Sequence, residues 1–480
     1  MNEEVELKLE LPRDAVEAFE RSALIPGEGD RAELNAIYFD TPGSALRALG
    51  YSLRIRRSGG KRIQTVKADH GESGGGLFAR GEWEMPVKDD QPVIDTRTPL
   101  PSALGDAADL IAPAFHVDVE RRTWMVEEQG ARAEMVLDKG VVRAGDREAP
   151  VCEIELELKE GEASALFALA RRIEAAAPVR LGIEAKSERG YRLLGAAPAS
   201  FKAEPVTLKP GSSPQEAFRT IARACLRHYR LNENLLLDHY DPQALHQARV
   251  AVRRLRSALT LFKPILPDQN AVRFQDELRW LARELGEARD LDVLIDSIAP
   301  GPLHDRIEAA RQQAHADILK MLESRRVRGL MIDFAEWLTL NAAPSGGGES
   351  AKAFAAERLR HFYRWVVKHG RDMAELDDEH RHAVRKKAKK LRYASEFFAS
   401  LFSEGKKDRK RHADFIKALE ALQDRLGALN DMASMAGLLA KHGVEAGEQA
   451  VEPAGKDKKK LIKAAAKAHD KLADARPFWS

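Results

Sequence analysis

Apolar and charged residues alternate along Glu4-Val5-Glu6-Leu7-Lys8-Leu9-Glu10-Leu11. Period two predicts a strand with Glu4, Glu6, Lys8 and Glu10 on one face and Val5, Leu7, Leu9 and Leu11 on the other. β-prone segments, several with the same alternation, follow at residues 36–40, 52–57, 62–67, 82–85, 123–126, 133–138 and 153–159. Turn signals separate them: Thr41-Pro42-Gly43, Gly59-Gly60 and a Gly-rich loop at 71–76. Helical periodicity is confined in this half to residues 13–21 and 164–176. Strands with one apolar and one charged face predict a β-barrel or cupped sheet with a polar interior.

A Pro/Gly/Ser stretch at 203–214 ends this regime, and beyond it only helical periodicity remains. His246-Gln-Ala-Arg249-Val-Ala-Val-Arg253-Arg254-Leu255-Arg256 matches His382-Ala-Val-Arg385-Lys-Lys-Ala-Lys389-Lys390-Leu391-Arg392. Leu281 to Asp290 matches Leu422 to Asp431 in turn, with Gly286 and Gly427 in register. Offsets of 136 and 141 residues mark a duplicated unit, not a short solenoid, joined through a Gly/Ser/Pro loop at 341–350. The expected organisation is a barrel domain at 1–200, a linker at 201–212 and a helical domain at 213–480 with repeats at about 213–340 and 351–480.

Composition adds a contrast. The 480 residues carry a net charge of only +2. Residues 1–200 nevertheless hold 27 Lys+Arg against 36 Asp+Glu, a net of −9, whereas residues 201–480 hold 50 against 39, a net of +11. Two domains with different electrostatic tasks are expected, the second suited to a polyanion. No long apolar run is present, and the acidic N-terminus lacks the layout of a signal peptide. Cys152 and Cys225 form neither a disulfide framework nor a CxxC pair. A cytoplasmic location away from membranes is expected.

Carboxylates spaced two apart on one strand face lie roughly 7 Å from each other and favour a nearby cation. Three strands carry such pairs: Glu4/Glu6, Glu82/Glu84 and Glu153/Glu155, with Glu157 sharing the last parity. Arg54, Arg56 and Lys67 supply opposite charge. Hard oxygen ligands suit Mg²⁺ or Mn²⁺, and Arg and Lys suit phosphate, so the set fits a site holding both. The ordered set Glu4-x-Glu6-x-Lys8, Arg54-x-Arg56, Lys67, Glu82-x-Glu84 and Glu153-x-Glu155 resembles the signature of the CYTH family, the triphosphate tunnel metalloenzymes. The resemblance covers about residues 1–195. It implies an α+β domain built on an antiparallel eight-stranded tunnel, and divalent-metal-dependent hydrolysis of a triphosphate inside it. Carried over by position, Glu4, Glu6, Glu82, Glu84, Asp138, Glu153 and Glu155 are the metal-binding and water-activating acids. Lys8, Arg54, Arg56, Lys67, Arg121 and Lys186 are the phosphate-holding bases. Arg122 competes with Arg121, but it shares parity with Trp124, which favours Arg121. Glu157 leaves open which two of three glutamates bind metal.

On a helix, His246, Arg249, Arg253 and Arg256 form one basic stripe, and His382, Arg385, Lys389 and Arg392 repeat it. Like charges at these spacings are unfavourable unless an anion or acids such as Asp290 and Asp431 lie along them. No HxxxH pair or Cys/His cluster supports metal binding by the histidines. These motifs resemble the CHAD domain over about residues 213–480. That resemblance implies two pseudo-symmetric helical bundles with a basic groove for inorganic polyphosphate, and association with polyphosphate granules. Aromatic stacking platforms are lacking apart from Tyr393, which disfavours nucleic acid. Hydrolysis of inorganic tripolyphosphate is the expected activity. The alternatives are a non-catalytic polyphosphate-binding protein, or a tunnel enzyme that uses thiamine triphosphate or cyclises ATP.

Overall fold

The computed structural model describes residues 3–68, 77–266, 268–296, 298–340, 349–441 and 455–479. The Gly-rich loop at 71–76, most of the loop at 341–350, and the side chains of Glu4 and Asp431 lie outside the described residues. Packing divides the chain into two compact units. The first comprises Met1–Phe201, Arg230–His239 and Leu319–Ala342, and the second Lys202–Tyr229, Tyr240–Ile318 and Ala343–Ser480.

In the first unit, the alternating segments become β1 (Glu3–Glu10), β2 (Asp30–Asp40), β3 (Tyr51–Ser58), β4 (Lys61–Ala68), β5 (Leu77–Pro86), β6 (Ala112–Glu128), β7 (Ala131–Ala144) and β8 (Arg147–Glu160). They are antiparallel in the order β5-β4-β3-β2-β6-β7-β8-β1, and a further β5–β1 pairing closes the ring. Gly59 and Gly60 turn β3 into β4 with φ of 52° and 81°, values that L side chains rarely adopt. The sheet has nine strands, however, where eight are expected. The ninth, β9 (Arg180–Leu181), pairs with the end of β1 at Leu9 and Glu10. Two residues are too few to show a period, so no pattern in the chain announces it.

Among the described residues, helices α1 (Val16–Glu20), α2 (Ala45–Ala48), α3 (Leu100–Leu104), α4 (Ser164–Ala176) and α5 (Lys186–Leu193) accompany the sheet. The predicted helix at 13–21 starts as a 3-10 turn at Arg13–Ala15 before α1. Helix α4 buries Leu166, Phe167, Leu169, Ala170 and Ile173 and packs on β1, β6 and β8. Leu7, Leu9, Ile154 and Leu156, on the outward faces of β1 and β8, are fully buried, which turns the charged faces of those strands inward.

Helices follow throughout the rest of the chain: α6 (Pro214–Asp238), α7 (Pro242–Phe262), α8 (Gln269–Ile295), α9 (Pro302–Leu322), α10 (Arg325–Leu340), α11 (Ala351–His369), α12 (Asp378–Phe397), α13 (Lys406–Lys441) and α14 (Gly455–Asp474). Within the second unit α7 packs on α8 and α12, α12 on α11 and α13, and α13 on α14. Asp241 caps α7 by accepting from the N–H groups of Gln243 and Ala244, and Asp377 caps α12 through His380 N. Helix α10 belongs to the first unit and packs on α4, where Arg171 pairs with Asp333 and Glu336, and Glu174 with Arg325 and Arg328. Among the described residues no helix is long and apolar enough to cross a membrane.

Candidate active site

The inward faces of the barrel enclose a cavity of about 870 Å³. Glu6, Lys8, Arg54, Arg56, Lys67, Glu82, Glu84, Arg121, Asp138, Glu155 and Lys186 all line it, so the structure gathers charges from β1, β3, β4, β5, β6, β7, β8 and α5. Register explains the pairing. Lys8 stands opposite Glu155, Arg121 opposite Asp138, Lys67 opposite Glu82, and Asp138 opposite Glu153. Leu34, Ala36, Val117 and Val119 from β2 and β6 contribute an apolar wall, so the interior is not polar throughout.

At the inner end the charges are paired closely. Lys8 Nζ lies 3.1 Å from Glu6 and 3.0 Å from Glu153, and also donates to Glu155. Lys186 Nζ lies 2.6 Å from Asp138, 2.6 Å from Glu153 and 2.8 Å from Glu155. Arg121 holds Asp138 through two N–H groups at 2.8 and 2.6 Å and reaches Glu155 at 2.8 Å. Burial opposes the charges of Lys8, Arg121, Glu153, Glu155 and Lys186, but their partners prevail. Glu153, fully buried, is held down to about 2 because Lys186, Lys8 and Arg189 outweigh the cost of its burial. Glu155 lies well below the usual carboxylate range, and Lys8, Lys186 and Arg121 lie above theirs, for the same reason.

Helix α5 sets Lys186. Its first turn is held by Glu188, whose carboxylate accepts the Ala185 N–H at 2.8 Å. A cation at a helix N-terminus is unfavourable by itself, so the three carboxylates around Lys186 compensate the helix dipole as well. The helix seats closely because Gly190 faces the Phe115 ring, where a Cβ would lie 2.1 Å from a ring carbon. Gly182 likewise lets the chain pass beside Lys8, whose carbonyl accepts its N–H at 2.8 Å.

Nearer β3 and β4 the charges are looser. Arg54 donates to Tyr38 Oη at 3.4 Å, Arg56 lies 3.8 Å from Glu84, and Lys67 lies 3.4 Å from Glu82. Burial, then Arg54 and Arg121, push the Arg56 guanidinium below its ordinary value. Arg122 points the other way and binds Glu20 at 2.8 Å, with its guanidinium over Trp124. Glu153 stands behind the cavity, whereas Glu157 lines it beside Glu134 and Lys159. The strand of Glu4 is present, but its side chain lies outside the described residues. Three participants escape the alternation: Tyr38, Thr65, which donates to Glu84 at 3.1 Å, and Arg189, 2.9 Å from Glu153. Arg189 had one available signal, its i+3 spacing from Lys186 on a helix.

Hard oxygens converge as a divalent cation requires. Asp138, Glu153 and Glu155 each offer an oxygen within 4.8 Å of the others. Glu6 Oε1 is buried without a hydrogen-bond donor, Lys8 Nζ being near but out of line. The donor set therefore fits a hard metal ion.

In the second unit, α7 places His246, Arg249, Arg253 and Arg256 along one stripe, and α12 places His382, Arg385, Lys389 and Arg392 along another. Arg249 pairs with Asp290 at 3.2 Å, His382 with Asn430 at 2.7 Å, and Arg392 with Glu396 at 3.3 Å. Arg253 donates to Tyr393 Oη at 2.6 Å, so the two helices meet around that ring. Arg254 is buried against Glu396 and Phe397, which makes it part of the core, unlike its motif neighbours. The stripe is crowded with positive charge. Burial, then Arg289, Arg253, Arg249 and Lys389, push His246 down, and Arg256 Nε is buried without a hydrogen-bond partner.

The CYTH domain model matches residues 2–191, and the CHAD domain model matches residues 220–440. An inorganic triphosphatase of Haemophilus influenzae is 30% identical over 202 residues, 40% of this chain and 55% of that protein. The chain thus spans about half the length of that relative. An uncharacterized protein of Mycobacterium tuberculosis is 27% identical over 405 residues, 76% of this chain and 75% of the other. The crystal structure of the CHAD domain from the plant Ricinus communis is 32% identical, with 57% of this chain and 93% of that one covered and a TM-score of 0.47.

Proposed function

We propose that this chain, which joins a CYTH domain to a CHAD domain, hydrolyses inorganic tripolyphosphate in the barrel and binds inorganic polyphosphate on its basic helices. The observation that carries the first part is the gathering of Arg54, Arg56 and Arg121 along one cavity, where burial, then Arg54 and Arg121, push Arg56 below its ordinary value. Buried like charges repel, and a polyanion threaded between them would relieve that repulsion. Similarity to an inorganic triphosphatase supports the same reading.

The bases divide into two groups. Lys8 and Lys186 each contact three carboxylates, so they keep the acids ionised and in place. Arg54 and Arg56, with longer contacts, hold phosphate oxygens together with Lys67, and Arg121 joins the two groups. Glu6, Asp138 and Glu155 would hold Mg²⁺ or Mn²⁺, with Glu153 behind them and Glu4, Glu82 and Glu84 as further acids. The bound metal supplies charge neutralisation and a water of lowered pKa. Glu157, which also faces the cavity, would orient the attacking water and take its proton. The guanidiniums stabilise charge as it moves to the leaving phosphate.

In the second unit we read α6–α9 and α11–α14 as two copies of one four-helix arrangement, since α7 and α12 carry the same stripe. Polyphosphate bound there is kept at high local concentration for the same chain. The deciding experiment measures phosphate release from tripolyphosphate, thiamine triphosphate and ATP with Mg²⁺, Mn²⁺ or EDTA. Release from tripolyphosphate with metal is expected. Equal turnover in EDTA refutes metal dependence, and tight binding without release would leave a binding protein.

A further inference from the structure

Arg230 lies on α6, inside the stretch matched by the CHAD model, yet it packs in the first unit with the barrel. It is 1% exposed and held on all sides. Its Nε donates to the Leu181 carbonyl at 3.0 Å, its Nη1 pairs with Glu233, and its Nη2 reaches Asn234 at 2.8 Å and Glu10 at 3.2 Å. Asn234 donates to both oxygens of Glu10, at 3.2 and 3.0 Å. Glu10 ends the strand that carries Glu6 and Lys8.

Beyond Glu10 the contacts run on toward the cavity. Arg189 Nη2 lies 3.7 Å from Glu10 and 2.9 Å from Glu153, so one guanidinium is shared by two carboxylates. Glu153 in turn meets Lys8 and Lys186, which both touch the cavity-lining Glu155. With Arg230 and Asn234 satisfying Glu10, Arg189 favours Glu153. Without Arg230, Glu10 loses its hydrogen-bonded cation, keeps its strand partner Arg180, and draws more strongly on Arg189.

We propose that Arg230, with Asn234, is a positioning residue for the barrel site, acting through Glu10 and Arg189 on Glu153. The site's outer support thus comes from a helix of the second domain's sequence. This rests on the triphosphatase reading for its activity readout only.

The test uses the full chain as wild type, Arg230→Met, Asn234→Ala, Glu10→Gln and Arg230→Met/Glu10→Gln. Phosphate release from tripolyphosphate with Mg²⁺ and calorimetric tripolyphosphate binding are measured in parallel. Arg230→Met should lower kcat about tenfold, the low end for loss of a partner that orients a site residue, with little change in KM, and Asn234→Ala should lower it by less. Adding Glu10→Gln to Arg230→Met should restore most of the rate, because it removes the competitor for Arg189. A residue that only stabilised the fold would show no such rescue. A folded Arg230→Met with wild-type rate, or a double variant no better than the single, overturns the inference. Should Arg230→Met fail to fold, Asn234→Ala at wild-type rate overturns it. A wild-type chain that binds tripolyphosphate without hydrolysing it refutes the hydrolytic reading alone, and the cycle in binding constants then decides this one. A chain that does neither refutes both.

Discussion

Lys186→Met tests whether the inner charges form one mutually dependent set. The substitution keeps most of the side-chain volume and removes a cation that lies within 2.8 Å of Asp138, Glu153 and Glu155. Holding Glu153 at about 2 instead of its ordinary 4.5 corresponds to about 3 kcal/mol, spread over Lys186, Lys8 and Arg189. Lys186 acts on two other acids as well, so its loss should cost about 3 kcal/mol near neutral pH, in the range for breaking a buried ion pair. The sign of the pH dependence follows. A depressed carboxylate stabilises the fold above its unfolded pKa near 4.5, and that contribution is lost as pH falls toward 2. The raised Lys186 contributes below its unfolded pKa of about 10.5 and loses that contribution only at higher pH. Calorimetric melting in EDTA from pH 3 to pH 8 should show the barrel transition of Lys186→Met lowered by roughly 6–10 °C at pH 7. The gap should shrink below pH 4.5 as the unpartnered acids protonate. A gap of the same size at pH 3 and pH 7 would refute the electrostatic account and leave only lost packing.

Arg56→Ala and Glu6→Gln should each reduce tripolyphosphate hydrolysis at least about a hundredfold, as measured by phosphate release with Mg²⁺, with the melting temperature nearly unchanged for Arg56→Ala. Arg122→Ala, by contrast, should lower stability by about 2 kcal/mol while leaving turnover near wild type, because its partners are Glu20 and a backbone carbonyl outside the cavity. For the second unit, alanine at Arg253, Arg256, Lys389 and Arg392 together should abolish polyphosphate binding, and wild-type binding should weaken steeply with salt. Retention of binding in the fourfold variant would place the anion elsewhere.

Most of the barrel was legible because its chemistry is periodic. A strand whose outer face is buried must send its alternate residues inward, so Glu6, Lys8, Arg54, Arg56, Lys67, Arg121 and Asp138 follow from parity and the apolar partners beside them. The parity argument from Trp124 also separates Arg121 from Arg122, and the structure shows those two side chains on opposite sides. What escaped is what has no period. Strand β9 is two residues long, and Tyr38 sits in an apolar run whose next inward neighbour, Ala36, carries no charge to mark the face. Parity also treats Glu153, Glu155 and Glu157 alike. Only packing distinguishes them, since Glu153 meets Arg189 and full burial, while Glu155 and Glu157 reach the cavity. Arg230 was invisible for another reason. It lies in a helical stretch, and nothing local records that its partner is 220 residues earlier in the chain.

The distribution of charge argues for how such a site remains folded before substrate arrives. A cavity lined only with phosphate-holding cations would repel itself, and one lined only with metal-binding acids would do the same. Here four cations, Lys8, Lys186, Arg121 and Arg189, interleave with Glu6, Asp138, Glu153 and Glu155 at the inner end. That end is nearly neutral, so its burial can be sustained by direct pairing. The least relieved charge on the other wall is at Arg56, whose nearest carboxylate, Glu84, is 3.8 Å away and which Arg54 and Arg121 repel. On the reading proposed above, a polyanion would meet that wall, while the paired wall holds Glu153 and Glu155 below the usual carboxylate range and so ionised near neutral pH. If the barrel hydrolyses tripolyphosphate as proposed, loss of activity on mild acidification should therefore trace to protonation of the tripolyphosphate, and not to Glu153 or Glu155. A rate profile whose acid limb moves with the substrate's own pKa, and stays in place in Arg189→Lys, is the expected result. A limb that shifts upward in Arg189→Lys would show instead that these glutamates titrate in the working range.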